Sequence, residues 1–291
     1  MKKAYWSIGI DKLALCYQVK SDSILHTITE ETTELDFGDF KLQRISSTNF
    51  KNAFHILSLW DAASGKGLDW QVYATLKYSR YTDKEDKIQL AWFYFENKTL
   101  YQQLYPNVNT IIFAEFQSNI LGLELRNITN IEIAVDTSKN AAKAIKYALR
   151  NPNLVTILNG KVLKDRKKAN NEILYVHTGN LERYLDMSIY VKQKDTDGLE
   201  LKVYDKAKEI KVSSKEYILN WHKLTNNKKL HRIEISLKHQ QLKDYINSNK
   251  IELTHNLFNN REFLFDCFLH FANRLIRFRE GEKVYSILEV I

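Results

Sequence analysis

Apolar and aromatic residues alternate with polar ones in several short stretches of the first hundred positions. Successive side chains of a β-strand point to opposite faces, so this alternation predicts strands. The predicted strands are residues 6–20, 40–45, 70–78 and 88–95. Turn residues at 64–67 and 83–86 separate the later ones. A helical spacing of apolar residues at 107–125 then predicts the first long helix.

The rest of the chain switches repeatedly between strand and helix patterns. The predicted strands are residues 130–136, 173–177, 187–193, 199–206 and 230–238. The predicted helices are residues 139–150, 213–223, 240–248 and 256–278, and Thr137 or Ser138 is expected to cap the first. This order predicts an α+β fold with a mostly antiparallel sheet. Helices would pack on one face and leave the other open to nucleic acid.

The domain organisation follows from the same pattern. We expect residues 1–126 to form a β-rich N-terminal part that supports DNA binding. Residues 127–291 would form the catalytic α+β part, packed with the first as one compact unit. Two pseudo-repeated halves are an alternative that the pattern leaves open.

Three of the predicted strands carry apolar residues on one face and charged or hydroxyl-bearing residues on the other. The polar positions are Glu132, Asp136, Lys202, Tyr204, Lys206, Arg232 and Glu234. A solvated sheet face with cross-strand ion pairs would give the same pattern. The carboxylates also suit a hard divalent cation, Mg²⁺ or Mn²⁺. A tyrosine two positions from a lysine suits a nucleophile beside a phosphate contact.

Composition and charge narrow the range of partners. The 291 residues carry a formal net charge of +8, which favours a polyanion. The two cysteines form no C-x-x-C pair, so a zinc site is not expected. Asp11 and Lys12 interrupt any signal-peptide core, and no apolar stretch reaches membrane-spanning length. We therefore expect a cytoplasmic protein with no membrane partner.

Three segments of the chain resemble a known family. Residues 129–136, 188–209 and 231–237 are similar to motifs of the replication initiators and relaxases of Gram-positive rolling-circle plasmids and conjugative transposons. This family is related to the gene II replication proteins of filamentous phages. Three positions depart from the family pattern: Asn130 stands for an arginine, Glu132 for an aspartate, and Lys192 for a glycine.

The resemblance implies a metal-dependent enzyme that nicks and rejoins single-stranded DNA through a covalent 5′-phosphotyrosine. It assigns the nucleophile to Tyr204. Tyr190, which also has a lysine two positions later, is the alternative, and Lys206, two positions after Tyr204, is the candidate phosphate contact. The metal ligands would be Glu132, Asp136 and Glu234, and the ion Mg²⁺ or Mn²⁺. The DNA contacts would be Lys202, Arg232 and Lys192. The candidate partners are single-stranded or cruciform origin DNA, a host helicase and a second copy of the chain.

Other features of the sequence leave alternatives open. Basic runs at residues 161–168 and 226–232 fit a solvated loop or a DNA-backbone contact. Histidines, including His231 and His177, are expected in the core or on the surface rather than at a metal. A conjugative relaxase would share the same chemistry. The alternatives without that chemistry are a non-catalytic nucleic-acid-binding protein and a structural or capsid-associated protein of a mobile element.

Overall fold

The computed structural model of the chain describes residues 6–47, 50, 52–61, 68–82, 88–101, 109–163, 173–177, 187–192, 198–223 and 229–291. The chain divides into two compact units by its internal contacts. Unit 1 consists of Met1–Ile10, Glu132–Gln241 and Arg261–Ile291. Unit 2 consists of Asp11–Ile131 and Leu242–Asn260. No helix in the described part of the chain is long and apolar enough to cross a membrane.

Unit 2 is built on an antiparallel sheet. Its strands are β1 (Trp6–Val19, from Asp11 onward), β2 (Glu34–Asp36), β3 (Phe40–Arg44), β4 (Asn52–Asp61), β5 (Leu68–Thr82), β6 (Gln89–Phe95) and the first part of β7 (Leu123–Thr137). Its helices are α1 (Asn97–Tyr101) and α2 (Thr110–Ile120), with 3-10 turns at Ile24–Thr27 and His255–Asn259. Strands β1 to β6 pair in the order β1-β6-β5-β4-β3-β2, each pair antiparallel.

The sequence pattern overlooked two strands of unit 2 and extended one helix too far. Strands β2 and β4 were not predicted. Helix α2 ends at Ile120, because Gly122 adopts a left-handed φ of +67° and β7 begins at Leu123. A Cβ on Gly122 would lie 2.7 Å from the Cα of Ser23, so glycine is needed here for space as well as for conformation.

Unit 1 contains the remaining strands and helices. They are the second part of β7, α3 (Ala141–Arg150), β8 (Val155–Leu158), β9 (Lys161–Val162), β10 (Ile173–His177), β11 (Met187–Lys192), β12 (Glu200–Asp205), α4 (Lys206–Ser213), α5 (Tyr217–Trp221), β13 (His231–Lys238), α7 (Arg261–Leu275), β14 (Ile276–Glu280) and β15 (Lys283–Tyr285). Helix α6 (His239–Ser248) starts in unit 1 and continues into unit 2. One sheet has the order β10-β11-β12-β13-β7, and a second has the order β15-β14-β8-β9.

Helices α3 and α7 contact the sheet of unit 1 at β12 and β13. The apolar side of α3, which includes Ala142, Ile145 and Leu149, is buried. An amphipathic helix covers the apolar face of a sheet in this way. The α+β class and the predominantly antiparallel sheet are thus confirmed.

Three details of unit 1 differ from the predictions. Asn140, rather than Thr137 or Ser138, caps α3 by accepting a hydrogen bond from the Lys143 amide. The helix expected over 213–223 is the shorter α5, and a further helix, α4, precedes it where no helix was expected. The long helix expected over 256–278 ends at Leu275 and continues as strand β14. The buried Ile276 and Phe278 of β14 alternate with exposed arginines, which is a strand period.

Candidate active site

The polar residues predicted to share a face do so on β12 and β13. In the antiparallel register Lys202 lies opposite Glu234, and Tyr204 lies opposite Arg232. The residues between them, such as Leu201 and Val203, are fully buried on the other face. The alternation read from the sequence is therefore confirmed for these strands, and their apolar faces anchor the polar ones.

Tyr204 lies on this polar face and is half-buried. Its phenol oxygen donates a 3.1 Å hydrogen bond to Oε2 of Glu234. The ammonium nitrogen of Lys206 lies 5.7 Å from the centroid of the Tyr204 ring. A carboxylate that accepts the phenol hydrogen bond and a cation near the ring are compatible with a nucleophilic tyrosine hydroxyl.

Two carboxylates lie next to the tyrosine. Oxygens of Glu132 and Glu234 come within 4.8 Å of each other, close enough to share one cation. Oε1 of Glu132 also accepts a 2.9 Å hydrogen bond from Ser236, which fixes its orientation. Glu234 is nearly fully buried. Paired oxygen ligands of this kind fit Mg²⁺ or Mn²⁺, so Glu132 and Glu234 are the residues that would hold the ion.

Lys202 is the counter-ion of these carboxylates. Its Nζ lies 3.2 Å from Glu234 Oε1, 3.7 Å from Glu132 Oε1 and 3.9 Å from Glu200 Oε2. Burial lowers the pKa of Lys202, but the charges of Glu234, Glu132 and Glu200 outweigh it and raise that pKa above its ordinary value. The ammonium therefore lies where a divalent cation would be attracted by the two glutamates.

Asp136 lies in a buried network rather than beside the other carboxylates. Its Oδ1 accepts a 2.7 Å hydrogen bond from Arg232 Nε, and its Oδ2 accepts from Arg232 at 2.6 Å and lies 2.8 Å from His222 Nε2. Burial alone would raise the pKa of Asp136. The Arg232 charge and the hydrogen bonds from Arg232 and His222 outweigh burial and lower that pKa to about 2. Both oxygens of Asp136 are thus engaged within the protein.

Arg232 has a different position from the one expected of a DNA contact. Its side chain is fully buried against Asp136, so the guanidinium does not lie on a surface that DNA could reach. Alternation along a strand shows which face a residue occupies, but not how deeply the face is covered. Here the buried His222 also contacts Asp136, and Ser7 Oγ lies 3.4 Å from His222 Nδ1.

Lys206 is not on the strand where it was expected. Strand β12 ends at Asp205, whose side chain caps α4 by accepting a hydrogen bond from the Lys208 amide at 3.1 Å. Lys206 is therefore the first residue of a helix. It is almost fully buried and pairs with Glu209 at 2.7 Å. The Lys206 ammonium still lies near Tyr204, but the start of α4 places it there and not alternation along β12.

The remaining predicted residues, Tyr190 and Lys192, lie on β11. Tyr190 is opposite Lys202 and half-buried, and its hydroxyl makes no side-chain hydrogen bond within the described part of the chain. Lys192 is exposed and pairs with Glu200 at 3.0 Å. Tyr204 thus differs from Tyr190 in having a carboxylate against its hydroxyl. The side chain of His177, residues 164–168 and residues 226–228 lie outside the described residues.

His222 is the residue of this region that sequence reasoning missed. It follows the short helix α5, is buried, and contacts Asp136 from 86 positions away. Nothing in its local sequence distinguishes it from the other histidines. His231, by contrast, is a buried core histidine, in agreement with the expectation for the histidines. The cysteines Cys16 and Cys267 are both free and buried.

Positive charge is concentrated in the unit that holds this site. The charged residues of unit 2 sum to a net negative value, so unit 1 carries more than the +8 of the whole chain. A polyanion is attracted most strongly to unit 1.

Comparisons with known proteins add little to this geometry. No protein-family model matches the chain. No curated protein matches it significantly either. One similar solved structure is the rolling circle replication initiator protein from Geobacillus stearothermophilus, at 12% identity and a TM-score of 0.46 over 96% of this chain and 89% of that one. At this level of similarity, function has to be argued from the geometry of the site.

Proposed function

We propose that the protein cuts and rejoins single-stranded DNA through Tyr204, as an initiator of rolling-circle replication. The observation that carries the proposal is the hydrogen bond from the Tyr204 phenol to Glu234, in a site that also holds Glu132 and Lys202. The resemblance of the three strand motifs to initiators and relaxases supports action at a replication origin. The same chemistry would serve a relaxase at a transfer origin.

The proposed reaction is a transesterification. Tyr204 Oη gives its proton to Glu234 Oε2 and attacks the phosphorus of a phosphodiester. The bond from phosphorus to the 3′ oxygen breaks, and that oxygen takes up a proton to leave as a 3′ hydroxyl. The 5′ phosphate stays joined to the tyrosine. Attack by a 3′ hydroxyl reverses these steps and rejoins the strand without an external energy source.

The residues around Tyr204 have different roles in the proposed reaction. Leu201 and Val203 fix the strand from its buried face and so limit where the phenol can move. Lys202 and Lys206 lower the cost of the negative charge on the phenolate and the phosphate. A Mg²⁺ or Mn²⁺ ion held by Glu132 and Glu234 would neutralise charge on the reacting phosphate. Arg232 and His222 stabilise the packing of the site and do not contact the DNA.

The test is direct detection of the covalent intermediate. The protein is incubated with Mn²⁺ and a random-sequence pool of single-stranded oligonucleotides labelled at the 3′ end. Because the 5′ phosphate stays on the protein, the label should migrate with the denatured protein, and a 5′ label should not. Tyr204→Phe should give no adduct, while the matched variant Tyr190→Phe should give the wild-type amount.

Peptide mapping of the adduct identifies the attacking residue. Label on the peptide that contains Tyr204 supports the proposal. Label on Tyr190 would move the nucleophile to β11. Cleaved DNA without any protein adduct would mean that water attacks, and the proposal would be wrong.

A further inference from the structure

A second polar pocket lies in unit 1, away from Tyr204. It has a volume of about 520 Å³ and is lined by Asn159, Gly160, His270, Asn273, Arg274 and Arg277. This volume is in the range of roughly 300–1,000 Å³ that is usual for ligand sites. Nothing in the proposed nicking reaction uses these residues.

The lining of this pocket is cationic. Arg274 and Arg277 both contribute to it, and no acidic residue does. Neither guanidinium has a carboxylate within ion-pair distance among the described residues. Two unpaired guanidinium groups at one concavity repel each other, and an anion would relieve that repulsion. Guanidinium groups also match the tetrahedral oxygens of phosphate with paired hydrogen bonds.

The local structure holds these groups in place. Asn159 and Gly160 form a two-residue turn between β8 and β9, both with left-handed φ values of +49° and +76°. Asn-Gly is the preferred sequence for such a hairpin turn. The Asn159 amide donates to the Leu275 carbonyl at 3.0 Å, which ties the turn to the end of α7. Arg274 packs its guanidinium 5.6 Å from the Phe271 ring centroid.

The pocket is linked to the hairpin that carries Tyr204. Asn159 Nδ2 donates a 3.3 Å hydrogen bond to the carbonyl of Lys192 on β11. Lys192 lies opposite Glu200, at the other end of β12 from Tyr204. Glu200 and Tyr204 are four positions apart on β12, or about 13 Å at roughly 3.3 Å per residue. Because α7 packs on the face of the sheet opposite Tyr204, a DNA strand that runs from Tyr204 along Lys202 has to pass round the end of β11 at Lys192, where Asn159 of the pocket lies.

We propose that the pocket formed by Arg274, Arg277 and His270 binds a backbone phosphate of the single strand, a few nucleotides from the phosphate that Tyr204 attacks. The net positive charge of unit 1 favours a polynucleotide over a small neutral ligand. The site anchors the strand and does no chemistry. The choice of DNA as the ligand rests on the proposed function, whereas the preference for phosphate rests on the pocket itself.

The experiment measures binding of labelled oligothymidylate by fluorescence anisotropy over a salt series. Every protein carries Tyr204→Phe, so that no adduct forms and binding is measured separately from nicking. Adding Arg274→Ala and Arg277→Ala should weaken binding at least tenfold. The slope of log affinity against log salt should fall by about 1 for each phosphate that is no longer neutralised. Arg277→Glu alone should weaken binding further than Arg277→Ala.

Arg279→Ala is the matched control, because Arg279 lies on the same exposed side of β14 but does not line the pocket. It should keep most of the affinity. A loss equal to that of the double variant would mean that only overall charge matters, and the pocket would not be a site. Unchanged affinity and slope in the double variant and in Arg277→Glu would also overturn the proposal.

A second measurement separates a DNA strand from free phosphate. The ring signals of His270 are followed by NMR during titration with oligothymidylate and with inorganic phosphate. Shifts with oligothymidylate at concentrations where inorganic phosphate has no effect support a strand contact. Shifts with inorganic phosphate alone would assign the pocket to a small phosphate-bearing molecule and overturn the strand contact. If these binding results hold but the wild-type protein forms no adduct at Tyr204, only the proposed nicking reaction is refuted.

Discussion

Tyr204 and Glu234 are hydrogen bonded although they are not opposite each other in the strand register. Lys202 faces Glu234 directly, and Tyr204 faces Arg232, so the 3.1 Å bond from the phenol runs diagonally between the strands. Oε1 of Glu234 accepts a hydrogen bond from Lys202, and Oε2 accepts one from Tyr204. A diagonal contact of this kind is within reach of long side chains on a sheet. The Glu234 carboxylate is thus the partner of both the Tyr204 phenol and the Lys202 ammonium.

Removing the charge of Glu234 should separate DNA cutting from DNA binding. Glu234→Gln keeps the size of the side chain but loses the proton acceptor and a metal ligand, so adduct formation should fall by a factor of about 100 or more. Adduct formation in the wild type should stop with a chelator and return with Mg²⁺ or Mn²⁺. Gel analysis of the adduct and anisotropy with single-stranded DNA measure the two properties. Wild-type adduct formation in Glu234→Gln would remove this residue from the mechanism.

Lys202 should compete with the divalent cation. Its ammonium lies 3.2 Å from Glu234 and 3.7 Å from Glu132, so Lys202→Met leaves two carboxylates without a counter-ion. We expect the variant to bind Mn²⁺ more tightly, measured by the loss of the free-ion signal in electron paramagnetic resonance. Lys192→Met is the control, because Lys192 pairs with Glu200 from an exposed position. Equal or weaker Mn²⁺ binding by Lys202→Met would show that these glutamates are not the ligands.

The ion pair of Asp136 with Arg232 should make the protein acid-sensitive. The pKa of Asp136 is lowered from an ordinary value of 3.8 to about 2 in the folded protein. A lowered folded-state pKa gives stability that is present above pH 4 and is lost as pH falls toward 2. The contribution is about 2–3 kcal/mol. Urea unfolding from pH 5 to pH 2 should show this loss in the wild type.

Two variants check the assignment of that acid sensitivity. Asp136→Asn should be less stable at neutral pH, by roughly 3–5 kcal/mol because it leaves Arg232 buried without its counter-charge. Its stability should also vary less between pH 4 and pH 2. Asp36→Asn changes an exposed aspartate whose pair with Lys41 is screened by solvent, and should leave the profile close to the wild type. An unchanged slope in Asp136→Asn would assign the acid sensitivity to other carboxylates.

Gly122 should tolerate substitution poorly. Gly122→Ala combines a left-handed φ with a 2.7 Å approach of the new Cβ to Ser23, so it should lower the free energy of unfolding by more than about 1 kcal/mol. Gly38 also has a left-handed φ, at +83°, but a Cβ added there would have no atom within 4 Å. Gly38→Ala should therefore cost only about 1 kcal/mol. Equal losses in urea unfolding would show that the contact with Ser23 relaxes freely.

The sequence predicts which face of a strand each site residue occupies, but not what covers that face. Alternation is a local property, so it correctly placed Lys202, Tyr204 and Glu234 on one face. Arg232 is buried against Asp136, which is 96 positions away, and no local pattern contains that information. Alternation continues through Lys206 and so predicts a longer strand. The Asp205 side chain ends the strand by capping α4, and aspartate is a preferred residue at the start of a helix.

Unit 1 is assembled from chain segments that are synthesised far apart in time. Ser7 lies against His222, which is 215 positions later, and α7 begins only at Arg261. Strands β2 to β6 can pair with near neighbours as they leave the ribosome, but Ser7 of β1 has to wait for His222. Tyr204 is likewise synthesised before α7, the helix that packs on its strand β12. A nascent chain stopped before residue 261 would carry Tyr204 without a finished site, so cutting activity should appear only late in synthesis.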